Sequence, residues 1–410
     1  MNSSLSNNIQ QNILFYNKPL SYLSTALAFA SSLWATQVHR RDASIWPNGP
    51  FSTDGRWVVD ASGQQAHFAG VNWPGAAEVM IPEGLLYRLV EQIVSQIKSV
   101  GFNAVRLTYA IEIVDQIYDY DGKDISIEIA FVNGPGSENG TLALAKVLEN
   151  NPSFTNKKTR LQVFDSIAEE LAKKQIHVLL DNHISKAKWC CSGSDGNTWW
   201  GDSQFNVANW LPGLSYMATH TWYKYVQQGA KAINNANGDV LVYLSGLGYD
   251  TWMTPMEVSI STALTPGKEI FGKGAFAGFS NKLVLEIHNY EKTVASCATL
   301  KSRFYTKGLQ GMNSTDAATK AVFPVQLIEW GHLMDATTWQ GVYSICLRSY
   351  VGSLKASWFM WAIAGSYYTR YGKPDNDELW GLLNHNWTEW RNPDFVKSAL
   401  TPFIHQTLDS

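Results

Sequence analysis

Charge is scarce in this chain. Asp, Glu, Lys and Arg make up 16% of its 410 residues, and 32 basic against 35 acidic side chains leave a net charge of -3. Such a balance offers no electrostatic footprint for DNA, RNA or an anionic membrane, so neither nucleic acid nor a stable membrane partner is expected. Cysteine is equally sparse, with Cys190, Cys191, Cys297 and Cys346. None of them forms a CxxC or Cys/His cluster of the kind that holds zinc. His177, Asp181 and His183 alternate along one apolar run. At about 3.3 Å per residue they spread over too much length for one ion, and no metal or other cofactor is expected. Aromatic residues, by contrast, abound: 17 Trp, 18 Tyr and 17 Phe offer more flat amphipathic surface than a core alone needs. A ligand with apolar faces and hydroxyl edges fits that surface, and a sugar is such a ligand.

The first forty residues read as a targeting segment. Lys18 precedes an uncharged run from Pro19 to Val38 that carries Leu20, Leu23, Leu27, Phe29 and Leu33 among Ala and Ser. The run resembles a signal peptide, with Arg40-Arg41 as a dibasic processing site, so residues 1–41 are assigned to signal peptide and propeptide. A signal anchor is the weaker reading, because serines and threonines dilute the run. An even cysteine count fits secretion into an oxidising compartment. Since adjacent cysteines close a strained ring, Cys190 and Cys191 are each expected to pair with one of Cys297 and Cys346. Sequons at Asn139, Asn313 and Asn386 are compatible with a secreted glycoprotein.

From residue 45 to 405 the chain reads as one domain. Arg56–Val59, the turn Asp60–Gly63 and Gln64–Phe68 predict a short amino-terminal β-hairpin. Leu86, Leu89, Val90, Ile93, Val94 and Ile97 fall on one face of a helix over Leu85–Val100, and a second helix is predicted over Thr159–Lys174. Buried strands are predicted at His67–Val71, Ala104–Leu107, His177–Asp181, Val240–Leu244, Val284–His288, Val325–Glu329 and Trp358–Ala362. Repeated βα units of this kind indicate an α/β fold with a parallel sheet, here a TIM-type (β/α)8 barrel. Seven parallel strands are counted where a closed barrel of that type needs eight.

In such a barrel the reactive groups stand at the carboxyl ends of the strands. Those ends carry Arg106, Asn182 and His183, His288 and Tyr290, Glu329, and Trp361. Together with FAGVNWPG, GFNAVRLTYA, HVLLDNHISKAKWCCSGSDGN, VLVYLSGLGYDTW, NKLVLEIHNYE, FPVQLIEWG and ASWFMWAIAGSYYTRYG, the chain resembles glycoside hydrolase family 5, the cellulase family, in its fungal and plant secreted branch. The resemblance implies a retaining hydrolase of β-linked polysaccharide or oligosaccharide, with two carboxyl groups about 5 to 5.5 Å apart. Glu329 in LIEWG matches the nucleophile. Arg106, His183, His288 and Tyr290 match substrate-binding positions, and Trp361 matches the sugar platform. Trp199, Trp200, Trp210, Trp252 and Trp330 are further candidates for lining subsites, and Glu286, one layer deeper than His288, is read as part of a buried network.

One part of the family pattern is missing. Its fourth strand ends in an Asn-Glu pair whose glutamate is the acid/base, yet here WLPGLSYMATHT runs straight into WYKYVQQGAKAINNANGD with no Asn-Glu between them. Leu214–Ala236 reads as one continuous helix, so the barrel is expected to be incomplete, with a gap or imperfect closure where that strand belongs. Hydrolysis is then expected to be impaired, since a general acid contributes about 10² to 10⁴-fold. Asp195, Asp202 and Asp250 lie on loops at the correct face but read as loop-capping or solvated residues. A carbohydrate-binding pseudoenzyme, and a product truncated by one coding segment, stay open beside the hydrolase.

Overall fold

The computed structural model describes residues 13–16, 49–189, 194–197, 203–204, 222–257 and 270–409. Of the expected signal peptide and propeptide it describes Ile13–Tyr16 alone; the rest, with Cys190 and Cys191, lies outside the described residues. A hairpin of β2 (Ser52–Asp54) and β3 (Trp57–Val59) opens the domain, and Val59 bridges on to Gln65 beyond the turn. Seven parallel strands follow, namely β4 (Ala69–Trp73), β5 (Ala104–Ala110), β6 (His177–Ile184), β7 (Val242–Leu244), β8 (Leu283–His288), β9 (Val325–Trp330) and β10 (Trp358–Met360). They curl into a barrel with helices outside.

The seven do not close on themselves. Ile13–Tyr16 forms a short strand, β1, that pairs antiparallel with β6 on one side and with β7 on the other. The described barrel therefore shows neither an open gap nor a direct β6 to β7 seam, and the edges that the sequence leaves unpaired are taken up by the chain's own amino-terminal segment. An Ile-Leu-Phe-Tyr run is rich in the branched and aromatic residues that pleated strands favour. Of the expected Leu214–Ala236 helix, Trp222–Ala236 is described and helical.

Helix boundaries follow local chemistry. Thr159 caps the helix Arg160–Lys173, and Gln162 returns the bond to the Thr159 N–H, forming a capping box. The helix expected from Leu85 begins only at Val90, because Asn151 from elsewhere in the chain takes its first turn. The Asn151 carboxamide accepts from the Val90 N–H at 3.0 Å and donates to the Leu85 carbonyl at 3.1 Å.

Inside the barrel the side chains stack in layers. The bottom layer is apolar, with Ala104, Leu179, Val284, Ile328 and Phe359 packed on Phe51, Val58 and Phe68 from the hairpin region. Gly70 belongs to this layer by necessity, since a Cβ there would lie 2.2 Å from the Phe359 ring. Two residues further along β5, β6 and β8, alternation brings Arg106, Asp181 and Glu286 to the same side. The core thus turns polar one layer above its floor.

Cys297 and Cys346 form a disulfide, which corrects the expected pairing with Cys190 and Cys191. Cys297 opens the helix Cys297–Lys307 after β8, and Cys346 lies in Val342–Ser353 after β9. Consecutive βα units stand side by side on the barrel wall, so these helices bring the two Cα atoms to 4.9 Å, a proximity that cysteine spacing alone does not reveal. The bridge spans 49 residues. Replacing both cysteines by Ser should lower stability by about 2 to 4 kcal/mol, read as the shift in urea midpoint against the oxidised parent chain.

Candidate active site

The site is built around a buried cation. Arg106, 2% exposed, projects from the middle of β5 into the barrel. Its Nη2 meets Asp181 Oδ2 at 2.7 Å, and its Nη1 donates to Glu329 Oε1 at 2.5 Å and to Asn72 Oδ1 at 2.8 Å. Asn72 is itself fixed, its amide donating to the Ile328 and Met360 carbonyls at 3.1 Å each. Burial opposes the guanidinium charge, but Asp181, Glu329 and Glu286 more than offset it, and the group is held firmly protonated.

Glu329 reaches this cation because β9 is irregular. Gln326 and Ile328 face the barrel interior, so strict alternation would send Glu329 outward. The pairing of β8 with β9 slips at that point, from Ile287 opposite Leu327 to His288 opposite Glu329. The extra residue returns Glu329 to the interior. Around its carboxylate stand Tyr290, whose hydroxyl donates to Oε2 at 3.2 Å, His288 Nδ1 at 3.6 Å from Oε2, and His183 Nδ1 at 3.8 Å from Oε1. Burial alone would raise this carboxyl, but the positive surroundings of His288, Arg106 and His183 bring it down to about 2. His288 is itself pushed down to about 4 by burial and is uncharged at neutral pH, so Arg106 carries the stabilisation there.

His183 is oriented from below. Its Nδ1 lies 2.9 Å from Asp181 Oδ2, an acceptor, so that nitrogen carries a proton. The ring stacks on Trp361 with centroids 5.4 Å apart and planes 13° from parallel. Trp361 is 8% exposed, so much of the expected platform faces His183 and the edge of Trp189. Burial, with the Glu329 charge, drives the Tyr290 hydroxyl well above its ordinary value and keeps it a neutral donor. Beyond it, Trp380 packs on Tyr290 at 5.9 Å, with Lys292 over its face.

All six residues picked from the sequence, Arg106, His183, His288, Tyr290, Glu329 and Trp361, thus converge at one mouth. The tryptophans divide. Trp330 is fully buried against Trp358 and Phe403 and lines no subsite, Trp252 is 40% exposed, and Trp199, Trp200 and Trp210 lie outside the described residues. Asp195 is tied to Lys188 and to the Asn197 N–H as a loop cap, and Asp202 is not described. Asp250 caps its loop as expected, its carboxyl accepting from the Gly246 N–H, and it also faces the site. Its side chain is 20% exposed, with Oδ2 3.9 Å from His288 Nε2.

Two positioning residues were missed. Asn72 is the polar residue in the fully buried run AGVNW, and Asp181 shares strand parity with His183; both are signals that a buried polar partner is needed.

The sequence model of Cellulase (glycosyl hydrolase family 5) matches residues 195–366. A Glycosyl hydrolase 5 family protein of Chamaecyparis obtusa is 31% identical over 387 residues, which cover 85% of this chain and 65% of that protein. The chain belongs to glycosyl hydrolase family 5. An endoglucanase of Paenibacillus polymyxa is 20% identical over 94% of this chain and 96% of its own length. Among solved structures, the catalytic domain of the major endoglucanase from Xanthomonas campestris pv. campestris covers 88% of this chain and 100% of its own, with a TM-score of 0.58 and 18% identity. A cellotetraose complex of an endocellulase from Pyrococcus horikoshii has the same coverage and identity, with a TM-score of 0.56. Both show the barrel fold.

Two measurements check this geometry. Asn72→Ala should cost about 1 to 3 kcal/mol in urea unfolding, since it strips Arg106 of an acceptor and leaves two buried carbonyls without their donor. The folded-state value of Glu329, about 2, lies below the ordinary carboxylate range, so its ion pair contributes stability that is fully present above about pH 4.3 and lost as pH falls toward 2. The stability gap between the parent chain and Glu329→Gln should accordingly narrow between about pH 4.3 and 2.

Proposed function

We propose that the chain is a secreted retaining hydrolase of β-linked glucans, endoglucanase-like, with Glu329 as its nucleophile. The observation that carries this reading is a carboxylate at the mouth of a family 5 barrel, ionised down to about pH 2 and held by Arg106 and Tyr290. Nucleophilic attack on an anomeric carbon needs that ionised form, and the resulting ester divides one difficult displacement into two easier ones. His183, His288, Tyr290 and Trp361 supply the donors, acceptors and aromatic surface that sugar hydroxyls and ring faces require. The endoglucanase relatives, and the cellotetraose bound by the Pyrococcus horikoshii endocellulase, support a β-linked oligosaccharide as substrate. The amino-terminal run after Lys18 supports secretion, and cleavage after it removes β1 and leaves β6 and β7 without the partner they have in the full chain.

Protonation of the leaving oxygen is the weak step, because the strand that ends in Asn-Glu is missing from the sequence. Turnover of unactivated glycosides is therefore reduced relative to family members that retain it. The same absence favours a second reading, a carbohydrate-binding protein that keeps the cleft without hydrolysis.

A 2-deoxy-2-fluoro-cellobioside with a dinitrophenyl leaving group separates the two, since its departure needs little protonation. Mass spectrometry should find one fluorocellobiosyl group on the peptide that contains Glu329, and none in Glu329→Gln. Tight cellotetraose binding with no such label on the parent chain would overturn the hydrolase and leave the binding protein.

A further inference from the structure

A glycosidase site needs a second carboxyl that flanks the scissile bond opposite the nucleophile. Among the described residues at this mouth, the carboxyls near Glu329 are Asp181, Glu286 and Asp250. Asp181 is committed, bonded to both Arg106 and His183, and is 3% exposed. Glu286 lies a layer deeper and is 2% exposed. Asp250, on the loop after β7, is a fifth exposed, and its carboxyl accepts from the Gly246 N–H and lies 3.9 Å from His288 Nε2.

Its placement is built. The Asp250 carbonyl accepts from the His288 N–H at 2.7 Å, which ties the loop to the end of β8. Leu247 and Trp252 exchange two backbone bonds across the turn, and Thr251 donates to the Gly248 carbonyl at 2.7 Å. Tyr249 and Asp250 both adopt left-handed backbone, with φ of 58° and 60°, a conformation that non-glycine residues hold at a cost and mostly where surroundings impose it. The His288 ring stands between the two carboxyls, Nδ1 3.6 Å from Glu329 and Nε2 3.9 Å from Asp250. That side chain is nine-tenths buried, and its Nε2 has no hydrogen-bond partner, so it points a polar edge toward the space beside Asp250. Tyr249 and Trp252, 44% and 40% exposed, offer aromatic surface on the same loop.

We propose that Asp250 is the proton donor of this site and, on the return step, its general base. The proposal rests on Glu329 as the nucleophile. As the Glu329 carboxylate bonds to the anomeric carbon, the glycosidic C–O bond breaks, its electron pair passes to the leaving oxygen, and that oxygen takes the proton from Asp250. Water then attacks the same carbon, the Asp250 carboxylate takes one of its protons, and the ester to Glu329 breaks. Both carboxyls return to their starting forms.

The charges around Asp250 suit this cycle. Burial raises it to about 7, Arg106 from β5 pulls it down, and Asp181 from β6 and Glu329 from β9 push it up; Glu286 and His288 face it from β8. The acid form is therefore present below about pH 7, while Glu329 is ionised above about 2. Activity on unactivated substrates should decline as pH rises through about 7.

The test uses the full chain, with cellotriose as an unactivated substrate and a series of aryl cellobiosides of rising leaving-group basicity. In Asp250→Asn, the rate of Glu329 glycosylation should fall with basicity, by less than about tenfold for dinitrophenol and by about 10² to 10⁴-fold for cellotriose. The alkaline limb near pH 7 should vanish. Added azide should speed the second step and yield β-cellobiosyl azide, in Asp250→Asn and equally in Asp250→Ala, so that rescue separates lost base catalysis from lost folding. A parent chain that glycosylates Glu329 from aryl substrates yet never cleaves cellotriose would overturn the assignment of Asp250 and leave the nucleophile standing. So would a uniform loss across the series, or no azide product. A parent chain inert to every substrate, with Glu329 unlabelled, would instead overturn the hydrolase reading itself.

Discussion

The guanidinium of Arg106 is the fixed point of this molecule. A charge that is 2% exposed survives only beside close counter-charges and acceptors, and here Asp181, Glu329 and Asn72 meet its two Nη groups from three different strands. Each of those partners is pinned in turn, Asn72 by two carbonyls, Asp181 by His183, and Glu329 by Tyr290. A single buried cation thereby sets the positions of the side chains proposed to meet a sugar. The arrangement serves reactivity more than stability, since an ion pair of this depth recovers little beyond its desolvation cost. What it gains is a carboxylate ionised at any working pH and held in one orientation, as a nucleophile requires.

The fold was largely legible because its signals are periodic. Each strand of the parallel sheet is a buried run, so all seven can be read from short apolar stretches, and the capping chemistry at Thr159 and Gln162 marks a helix start within one residue. Legibility fails where a distant residue decides. The helix at Val90 starts late because Asn151 takes its first turn, and the disulfide joins Cys297 to Cys346 because neighbouring helices meet on the barrel wall. The strand Ile13–Tyr16 was masked by a different kind of signal, since it sits just before an uncharged run that reads as a targeting segment. Nothing local announces that such a run will find two open strand edges.

The site was legible through its strand ends and the family resemblance, with two limits. Glu329 can be placed at the mouth by its motif, but alternation along β9 argues against it, and only the slip in register opposite His288 resolves the conflict. Trp330, next in the chain, then packs outward as core rather than lining a subsite. Asp250 reads as a turn cap, and it is one, its carboxyl accepting from the Gly246 N–H. Its significance depends on the His288 ring, an electrostatic neighbour that no spacing rule connects to it.

That neighbourhood also explains how a protonated carboxyl arises here at all. Four carboxyls, those of Asp181, Glu286, Glu329 and Asp250, act on the one guanidinium of Arg106, in a layer where His288 is neutral above about pH 4. One cation cannot hold four anions in a medium of low polarity. Of the two in direct contact with it, Glu329 is held ionised down to about pH 2. The two that do not touch it must keep their protons, and both are shifted in that direction, Glu286 strongly and Asp250 to about 7. Glu286 keeps its proton out of reach, one layer down. Asp250 keeps it across the His288 ring from Glu329, so the one cation ionises the carboxyl it touches and leaves another in its acid form, the division that the proposed nucleophile and proton donor require.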